Sequence, residues 1–260
     1  MVKLSALLMA AFFAAWMSVA ASDAPSRNVS SPVLVELFTS EGCSDCPPAD
    51  ALLQKMDQSQ TGGAQLIVLS EHVDYWNHIG WIDPYSSHFF SDRQTAYSDR
   101  FGLKSVYTPQ MVVDGTTEFV GNNPNLANQA IQKAEAQAKV PVRISAISLD
   151  TPHALRAHLE ADALPESSKV RKADVCFVVA LDHAESQVLR GENGGRHLTH
   201  VGVVQSLTKV GNVEIGKSFA QEVQVKLDSK TDLNNLRVIA FVQQTGQRQV
   251  LGAALEKITK

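Results

Sequence analysis

The sequence has little of several features that would point to common functions. It contains only three cysteines, and its 23 basic and 27 acidic residues leave a net charge of −4 with no basic stripe. The glycine-rich stretch 191–195 lacks the Gly-Lys-Ser/Thr ending of a phosphate-binding loop. Beyond residue 21 no run is apolar and long enough to span a bilayer. The sequence therefore argues against nucleic-acid binding, P-loop chemistry and an integral membrane protein.

The first 21 residues are typical of a secretory signal peptide. Lys3 precedes an apolar stretch over residues 4–19, and small residues follow up to Ala21. This stretch is short for a transmembrane helix. We therefore expect cleavage near Ala21, a polar linker over residues 22–31, and a periplasmic or secreted protein. An uncleaved membrane anchor is the alternative.

The stretch 33–56 carries the main functional signal. Residues 33–38 are an apolar, β-branched run that predicts a buried strand of a parallel sheet. Cys43 and Cys46 follow a short polar turn, and a helical stripe of apolar residues comes after them. Two residues between the cysteines let the sulfurs meet across a helical first turn and cycle between disulfide and dithiol. In an oxidising compartment the pair is either redox-active or a structural disulfide.

Strand, turn, Cys-x-x-Cys and helix together resemble the redox site of thioredoxin-like proteins. Glu36 lies in the strand before the cysteines, where thioredoxins carry a buried carboxylate under the second cysteine. Thr108-Pro109, followed by a short apolar strand and an Asp114-Gly115 turn, resembles the cis-proline that faces the cysteines in that superfamily. The resemblance covers residues 32–139.

This resemblance implies a role for each residue. Cys43 would be the nucleophile, Cys46 would resolve the mixed disulfide, and Glu36 would accept its proton. Thr108 and cis-Pro109 would shape the groove for an extended substrate. The alternatives are a structural disulfide, a salt-bridged Glu36 and a trans turn proline. Acidic residues beside Cys43 oppose thiolate formation and argue against a strongly oxidising role.

A second resemblance covers the whole mature chain. The sequence motifs at 36–43 and 72–76 resemble those of a family of secreted bacterial proteins catalogued only as a domain of unknown function. This resemblance implies that the glycine-rich stretch 191–195 packs against the N-terminal half. It implies no activity, since that of the family is itself poorly defined.

Residues 66–70 predict a second buried strand, parallel to the first. Residues 71–74 should therefore emerge near the cysteines, and His72 and Asp74 are candidate substrate-binding residues or structural partners of the segment that follows. A nearby histidine and two thiolates would also suit Cu(I). However, thioredoxin-like copper chaperones usually have three residues between their cysteines. We expect no metal and no cofactor besides the redox-active disulfide, with Cu(I) as the alternative.

The segment 75–101 is rich in aromatic residues and longer than the corresponding part of a simple thioredoxin. Trp76 and Trp81, with Tyr107 beyond it, are candidate substrate-binding residues in a lid or substrate wall. The alternative is that these aromatics fill an enlarged core. A helix is expected over residues 91–97, with Ser91 as a possible cap.

From residue 142 the pattern changes to short alternating runs, which predict many short strands without helices. Cys176 lies in an apolar run and is predicted to be a buried free thiol. The predicted fold is a thioredoxin-like α/β domain over residues 32–139, followed by an all-β sandwich-like domain over residues 140–260.

The predicted function is that of an exported thiol-disulfide oxidoreductase, which reduces or isomerises protein disulfides. Its partners would be protein thiols or disulfides, and a reductase would also need a membrane electron donor. The alternative is a non-enzymatic periplasmic binding protein, such as a copper carrier or a scaffold with a structural disulfide.

Overall fold

The computed structural model describes residues 32–59, 65–150, 154–229 and 231–258. The predicted signal peptide and linker, residues 1–31, lie outside the described residues. Among the described residues, 46% are in strands and 19% in helices, so the protein is mainly β.

The first half of the chain alternates strands and helices. Its elements are, in order, β1 (Val33–Thr39), α1 (Pro47–Gln58), β2 (Leu66–His72), a short 3-10 helix (Asn77–Ile79), α2 (His88–Phe101), β3 (Gln110–Val113), β4 (Thr117–Val120) and α3 (Pro124–Glu135). Helix α2 is longer than predicted, and the Ser87 hydroxyl caps it by accepting the Phe89 amide. Ser91 lies inside the helix, where its hydroxyl donates to Asp74.

The second half consists of strands. They are β5 (Val142–Asp150), β6 (Ala154–Ala161), β7 (Lys172–Gln187), β8 (His197–Glu214), β9 (Phe219–Lys226), β10 (Leu236–Gln244) and β11 (Val250–Lys257). β7 and β8 have 16 and 18 residues, so they are longer than the short strands that the sequence pattern predicts. Cys176 is a buried free thiol on β7, as predicted.

The predicted fold class, a thioredoxin-like α/β domain followed by a β-sandwich, is wrong. Eight strands form one mixed sheet in the order β11-β10-β7-β8-β2-β1-β3-β4, and only β5, β6 and β9 form a second sheet. The two halves join where β8 runs parallel to β2, with Ser70 beside Val203. Gly202 permits this approach, because a Cβ there would collide with the Val68 carbonyl. The domain boundary predicted at 139/140 stays a prediction, although strands from both sides share this sheet.

The large sheet curls until its two ends meet. The Val250 amide at the start of β11 donates to the Asp114 carbonyl, in the turn after β3, at 2.9 Å. Apolar residues of β1, β2 and β3 therefore share one core with residues of β7 and β10. The opposite face of β1 packs against α1 and α3 in a second core. A third core fills the space between the large sheet and the three-stranded sheet.

Successive residues of β1 and β2 point to opposite faces, and this alternation divides their polar side chains. Leu37 packs in the same core as Ala49 and Leu53 of α1, so the Leu37 side faces α1. Glu36 therefore points to the other face, inside the curled sheet. On β2, Glu71 points inside the curled sheet, as Glu36 does, and His72 points to the α1 side.

Candidate functional site

A disulfide joins Cys43 and Cys46 at the start of α1, as the spacing predicted. β1 ends at Thr39, and the Cys43 amide donates to the Ser40 carbonyl to close a turn. Cys46 is the N-cap of α1, and prolines occupy the first helical positions. Cys43 therefore lies outside the helix and gains less from its dipole. The two cysteines are only 1% and 0% exposed. Residues 40–46 are called the disulfide turn below.

The predicted cis peptide bond is present between Thr108 and Pro109. The Trp76 indole N–H donates to the Thr108 hydroxyl at 2.7 Å. Trp76 also packs on the disulfide turn, because a Cβ added to Gly42 would lie 3.0 Å from the Trp76 Cβ. The Pro109 ring lies on the α1 side of β1, where it and Leu37 both adjoin Gly121. The structure thus brings Trp76, Thr108 and Pro109 together around the disulfide turn.

The segment after β2 holds the disulfide turn from a second side. The Trp81 indole N–H donates to a Glu41 carboxylate oxygen at 2.7 Å. Asp83 accepts both the Glu41 amide, at 2.8 Å, and the Nδ1 side of His72, at 2.7 Å. Burial would raise the pKa of Asp83, but His72 and two backbone N–H groups lower it. Of the predicted aromatic residues, Trp76 and Trp81 do lie beside the cysteines.

His200 on β8 completes a group of buried ionisable residues beside the disulfide turn. Its Nε2 lies 3.4 Å from a Glu41 oxygen and its Nδ1 lies 3.7 Å from an Asp50 oxygen. Asp50 is on α1, one turn after Cys46, and also accepts the Thr39 hydroxyl at 3.0 Å. Burial opposes the charged imidazolium, but the Asp50 and Glu41 carboxylates raise the pKa of His200 to about 10. We call Glu41, Asp50, His72, Asp83 and His200 the disulfide-side cluster.

Neither Asp50 nor His200 was among the residues singled out from the sequence. Asp50 carried a local signal, because a carboxylate four residues after Cys46 lies on the same side of a helix. His200 carried none, since it comes from a strand more than 150 residues away, and only the pairing of β8 with β2 brings it to the site.

The loop between β7 and β8, residues 190–196, lies across the disulfide turn. Asn193 is fully buried, and its side-chain N–H₂ donates to the carbonyl oxygens of Glu41 and Cys43, at 2.9 and 2.8 Å. A Glu192 carboxylate oxygen accepts the Ser44 amide at 3.1 Å. The predicted packing of the glycine-rich stretch against the N-terminal half is therefore confirmed.

Glu36 is not brought to the disulfide. It lies inside the curled sheet, where it accepts N–H groups of Arg93 and, at 2.6 Å, the Tyr97 hydroxyl. Glu71 and Gln243 complete this group, in which every residue is buried. Burial and Glu36 raise the pKa of Glu71 well above its ordinary value despite Arg93. We call these five residues the arginine cluster; there Glu36 has the salt-bridged role that was the alternative to proton transfer.

Asp74 and Tyr107 also lie in other surroundings. Asp74 accepts the Ser91 hydroxyl at 2.6 Å and lies 3.2 Å from the His88 ring, so it fixes the start of α2. The Tyr107 hydroxyl donates to Glu118 on β4. The structure therefore assigns both side chains to contacts within the fold.

Among residues 32–59, 65–150, 154–229 and 231–258, no group of three or more histidine, cysteine, aspartate or glutamate side chains is arranged to hold a metal ion. Within the same ranges, no helix is long and apolar enough to cross a membrane.

Comparison with known proteins places the chain in a family. The crystal structure of an Agrobacterium tumefaciens protein is 23% identical and has a TM-score of 0.67, covering 88% of this chain and 95% of the other. HBP35 of Porphyromonas gingivalis is 15% identical, also with a TM-score of 0.67, covering 88% of this chain and 76% of its own. These similarities show a shared fold alone. No curated protein sequence matches. Residues 34–243 match the family described as "Protein of unknown function (DUF1223)", and the chain therefore belongs to that family.

Proposed function

We propose that the protein is a thiol-disulfide oxidoreductase that exchanges electrons with protein thiols through Cys43 and Cys46. The observation that carries this proposal is where the disulfide lies. It closes a separation of only three residues, which in the loop-entropy account is worth about 2 kcal/mol, against about 3 kcal/mol for a 15-residue loop. A disulfide kept for stability would gain more by joining distant segments. This one joins a turn to the first turn of a helix, where redox-active pairs occur.

The surroundings of the pair support the same proposal. The succession of strand, turn, Cys-x-x-Cys and helix resembles the local arrangement of thioredoxin-like redox sites, although the overall fold differs. Asp50, His200 and Glu41 add buried ionisable side chains close to the cysteines. In this respect Asp50 is better placed than Glu36, which is on the opposite face of β1.

The exchange with a partner dithiol proceeds in two steps. A partner thiolate attacks the Cys43 sulfur, which forms a mixed disulfide and breaks the Cys43–Cys46 bond, and the Cys46 thiolate takes up a proton. The second partner thiolate then attacks the partner sulfur in the mixed disulfide and releases Cys43 as the thiolate. Two electrons pass from the partner to this protein, and the partner leaves as a disulfide. The reverse sequence reduces a partner disulfide.

A second candidate is a non-enzymatic protein with a structural disulfide, and the burial of both sulfurs favours it. At 1% and 0% exposure, neither cysteine is open to a protein thiol without some movement. A copper carrier has weaker support, because His72 is bound to Asp83. The exported location and the need for a membrane electron donor remain part of the oxidoreductase proposal.

The reduction potential of the Cys43–Cys46 pair separates the two candidates. The full-length protein is equilibrated in a glutathione series, and free thiols are trapped and counted by mass. A potential between about −120 and −270 mV is the range of working oxidoreductases, and it is the expected result. A potential below about −300 mV is typical of structural disulfides and would refute the proposal.

Cys176 provides an internal control for this titration. It is a buried thiol, and burial raises its pKa to about 12. It should therefore resist trapping in the folded protein at every potential. A Cys43→Ser/Cys46→Ser protein should show no change in trapped mass across the series, which would assign the transition to the disulfide.

A further inference from the structure

The loop that covers the disulfide is held by very few contacts. Six of the seven residues 190–196 are exposed, and only Asn193 is buried. The loop contains arginine, glycine, glutamate and asparagine, and therefore no apolar side chain that could anchor it. Segments with few buried apolar contacts open at a lower free energy than the rest of a fold. The loop can therefore leave the disulfide turn while the core stays folded.

The ends of the loop are fixed, which confines such an opening to the loop itself. The Val188 amide donates to the Arg196 carbonyl at 3.0 Å, and the Gly195 amide donates to the Val188 carbonyl at 2.8 Å. Gly191 and Gly195 have φ values of +76° and +85°, so the turns on either side of Asn193 require glycine. The Gly191 backbone packs against Trp81, so the loop also touches the segment that follows β2.

Asn193 makes contacts that another polypeptide could replace. Its N–H₂ group satisfies two backbone carbonyls of the disulfide turn, while its own Oδ1 is buried without a hydrogen-bond partner among the described residues. When Asn193 leaves, the carbonyls of Glu41 and Cys43 need new donors, because buried carbonyl groups are costly to leave unpaired. The backbone N–H groups of an extended segment are suitable donors.

Two exposed apolar side chains lie on the segments that meet at the loop. Ile82, beside Trp81, is 73% exposed, and Leu189, just before the loop, is 70% exposed. An exposed apolar side chain gains free energy when a partner covers it. Both side chains suit a partner whose cysteine has apolar neighbours.

We propose that residues 190–196 form a gate over the Cys43–Cys46 disulfide, and that an extended polypeptide carrying a cysteine opens it by replacing Asn193. The partner's backbone N–H groups donate to the Glu41 and Cys43 carbonyls, and its apolar side chains contact Ile82 and Leu189. Its thiolate then reaches the Cys43 sulfur. This inference rests on the proposed thiol-disulfide exchange, because it names the substrate class of that reaction as an unfolded or extended protein segment.

The gate is tested first by the rate at which dithiothreitol reduces the disulfide, measured by trapping and mass. Asn193→Ala removes both donors and should raise the second-order rate at least tenfold. Asn125→Ala, the same change at an exposed position of α3, is the matched control and should leave the rate unchanged. Equal rates in Asn193→Ala and wild type would overturn the proposal.

The wild-type protein provides a second measurement that does not depend on the stability of a variant. The reduction rate is followed in urea below the unfolding transition, and its denaturant slope is compared with that of global unfolding. Opening of the gate exposes little surface, so the slope should be a small fraction of the global value. A slope equal to the global value would mean that reduction requires unfolding of the whole protein, and would overturn the gate.

The kind of partner is tested with the Cys46→Ser protein, whose Cys43 thiolate attacks a peptide cysteine that carries a coloured aryl thiol. The peptide and Cys43 then form the mixed disulfide, and the aryl thiolate is released. N-methylation of the peptide amides beside the cysteine should slow release at least fivefold, while a small aryl disulfide controls for Cys43 reactivity. Equal rates for the two peptides would overturn the role of the partner's backbone.

Failure of the gate and failure of the proposed function give different results. Equal reduction rates in Asn193→Ala and wild type, with a reduction potential in the oxidoreductase range, would refute the gate alone. A tenfold faster variant whose potential is that of a structural disulfide would refute the exchange reaction.

Discussion

Two buried polar clusters lie on opposite faces of β1 and β2, and they differ in what they are attached to. The disulfide-side cluster joins the disulfide turn to α1, β8 and the segment after β2. The arginine cluster lies inside the curled sheet and joins α2 to β1, β2 and β10. Consecutive residues, Glu71 and His72, supply one member each, so the alternation of a strand separates the two environments.

The difference between the clusters indicates two roles for buried charge in this fold. In the arginine cluster, one guanidinium faces two carboxylates and a tyrosine within a core that contains no reactive group of the proposed exchange. In the disulfide-side cluster, Glu41 is itself part of the disulfide turn, and His200 holds it. We therefore expect changes in the arginine cluster to alter stability alone. Changes in the disulfide-side cluster should alter stability and the reactivity of the disulfide together.

The largest expected effect is that of Arg93→Met. This change removes the guanidinium that faces Glu36 and Glu71 and leaves a buried carboxylate without its cation, which typically costs about 3–5 kcal/mol. Urea unfolding at pH 7 measures the loss. The matched control is Arg143→Met, which removes an arginine from exposed ion pairs and should change the unfolding midpoint little.

The rate of disulfide reduction is a second measurement on Arg93→Met. Its disulfide should be reduced by dithiothreitol at the wild-type rate under conditions where the variant is folded. A faster reduction in native buffer would show that the arginine cluster also governs the disulfide, and the division between the two clusters would then be wrong.

His200→Gln should have an intermediate effect that depends on pH. The folded-state pKa of His200 is raised to about 10, against about 6.5 in an unfolded chain. The stabilisation is therefore fully present below pH 6.5 and is lost as pH rises through about 10. The difference in unfolding free energy between wild type and His200→Gln should be on the order of a few kcal/mol at pH 6, and should shrink towards pH 10.5.

The difference in unfolding free energy between wild type and His200→Gln cancels the contribution of other groups that titrate near pH 10, because both proteins contain them. His200→Gln should also speed the reduction of the disulfide, because Glu41 loses its partner on β8. A difference in stability that is constant from pH 6 to 10.5 would contradict a charged His200. An unchanged reduction rate would separate His200 from the disulfide turn.

The sequence was sufficient for the local features of the site. The strand before the cysteines and the disulfide are as predicted, and the cis bond before Pro109 is as the resemblance to thioredoxin-like proteins implied. Each depends on residues that are close in sequence or on strong local preferences. Polar turns, proline pairs and apolar periodicity can each be recognised within a short stretch of sequence.

The remaining features depend on which strands pair. β1 is buried on both faces, so its apolar residues do not reveal which side faces α1, and only the resemblance suggested that Glu36 lies under the second cysteine. The extension of the sheet through β8 placed His200 at the site, and the fold class was wrong for the same reason. Asn193 contacts residues about 150 positions away, and no local pattern encodes such a contact.

The smallest expected effect, and the finest test of the comparison, is that of Glu71→Gln. Burial and Glu36 raise the pKa of Glu71 in the folded protein, whereas the unfolded value is about 4.3. An acid with a raised folded pKa loses stability as pH rises above its unfolded pKa, so a neutral amide should be tolerated at pH 7. We expect Glu71→Gln to change the unfolding free energy by less than about 1 kcal/mol. Its stability relative to wild type should increase between pH 4.5 and 7.

The control is Glu36→Gln, which removes the acceptor of Arg93 and Tyr97 and should be clearly destabilising. A large loss in Glu71→Gln would instead mean that Arg93 requires two ionised carboxylates.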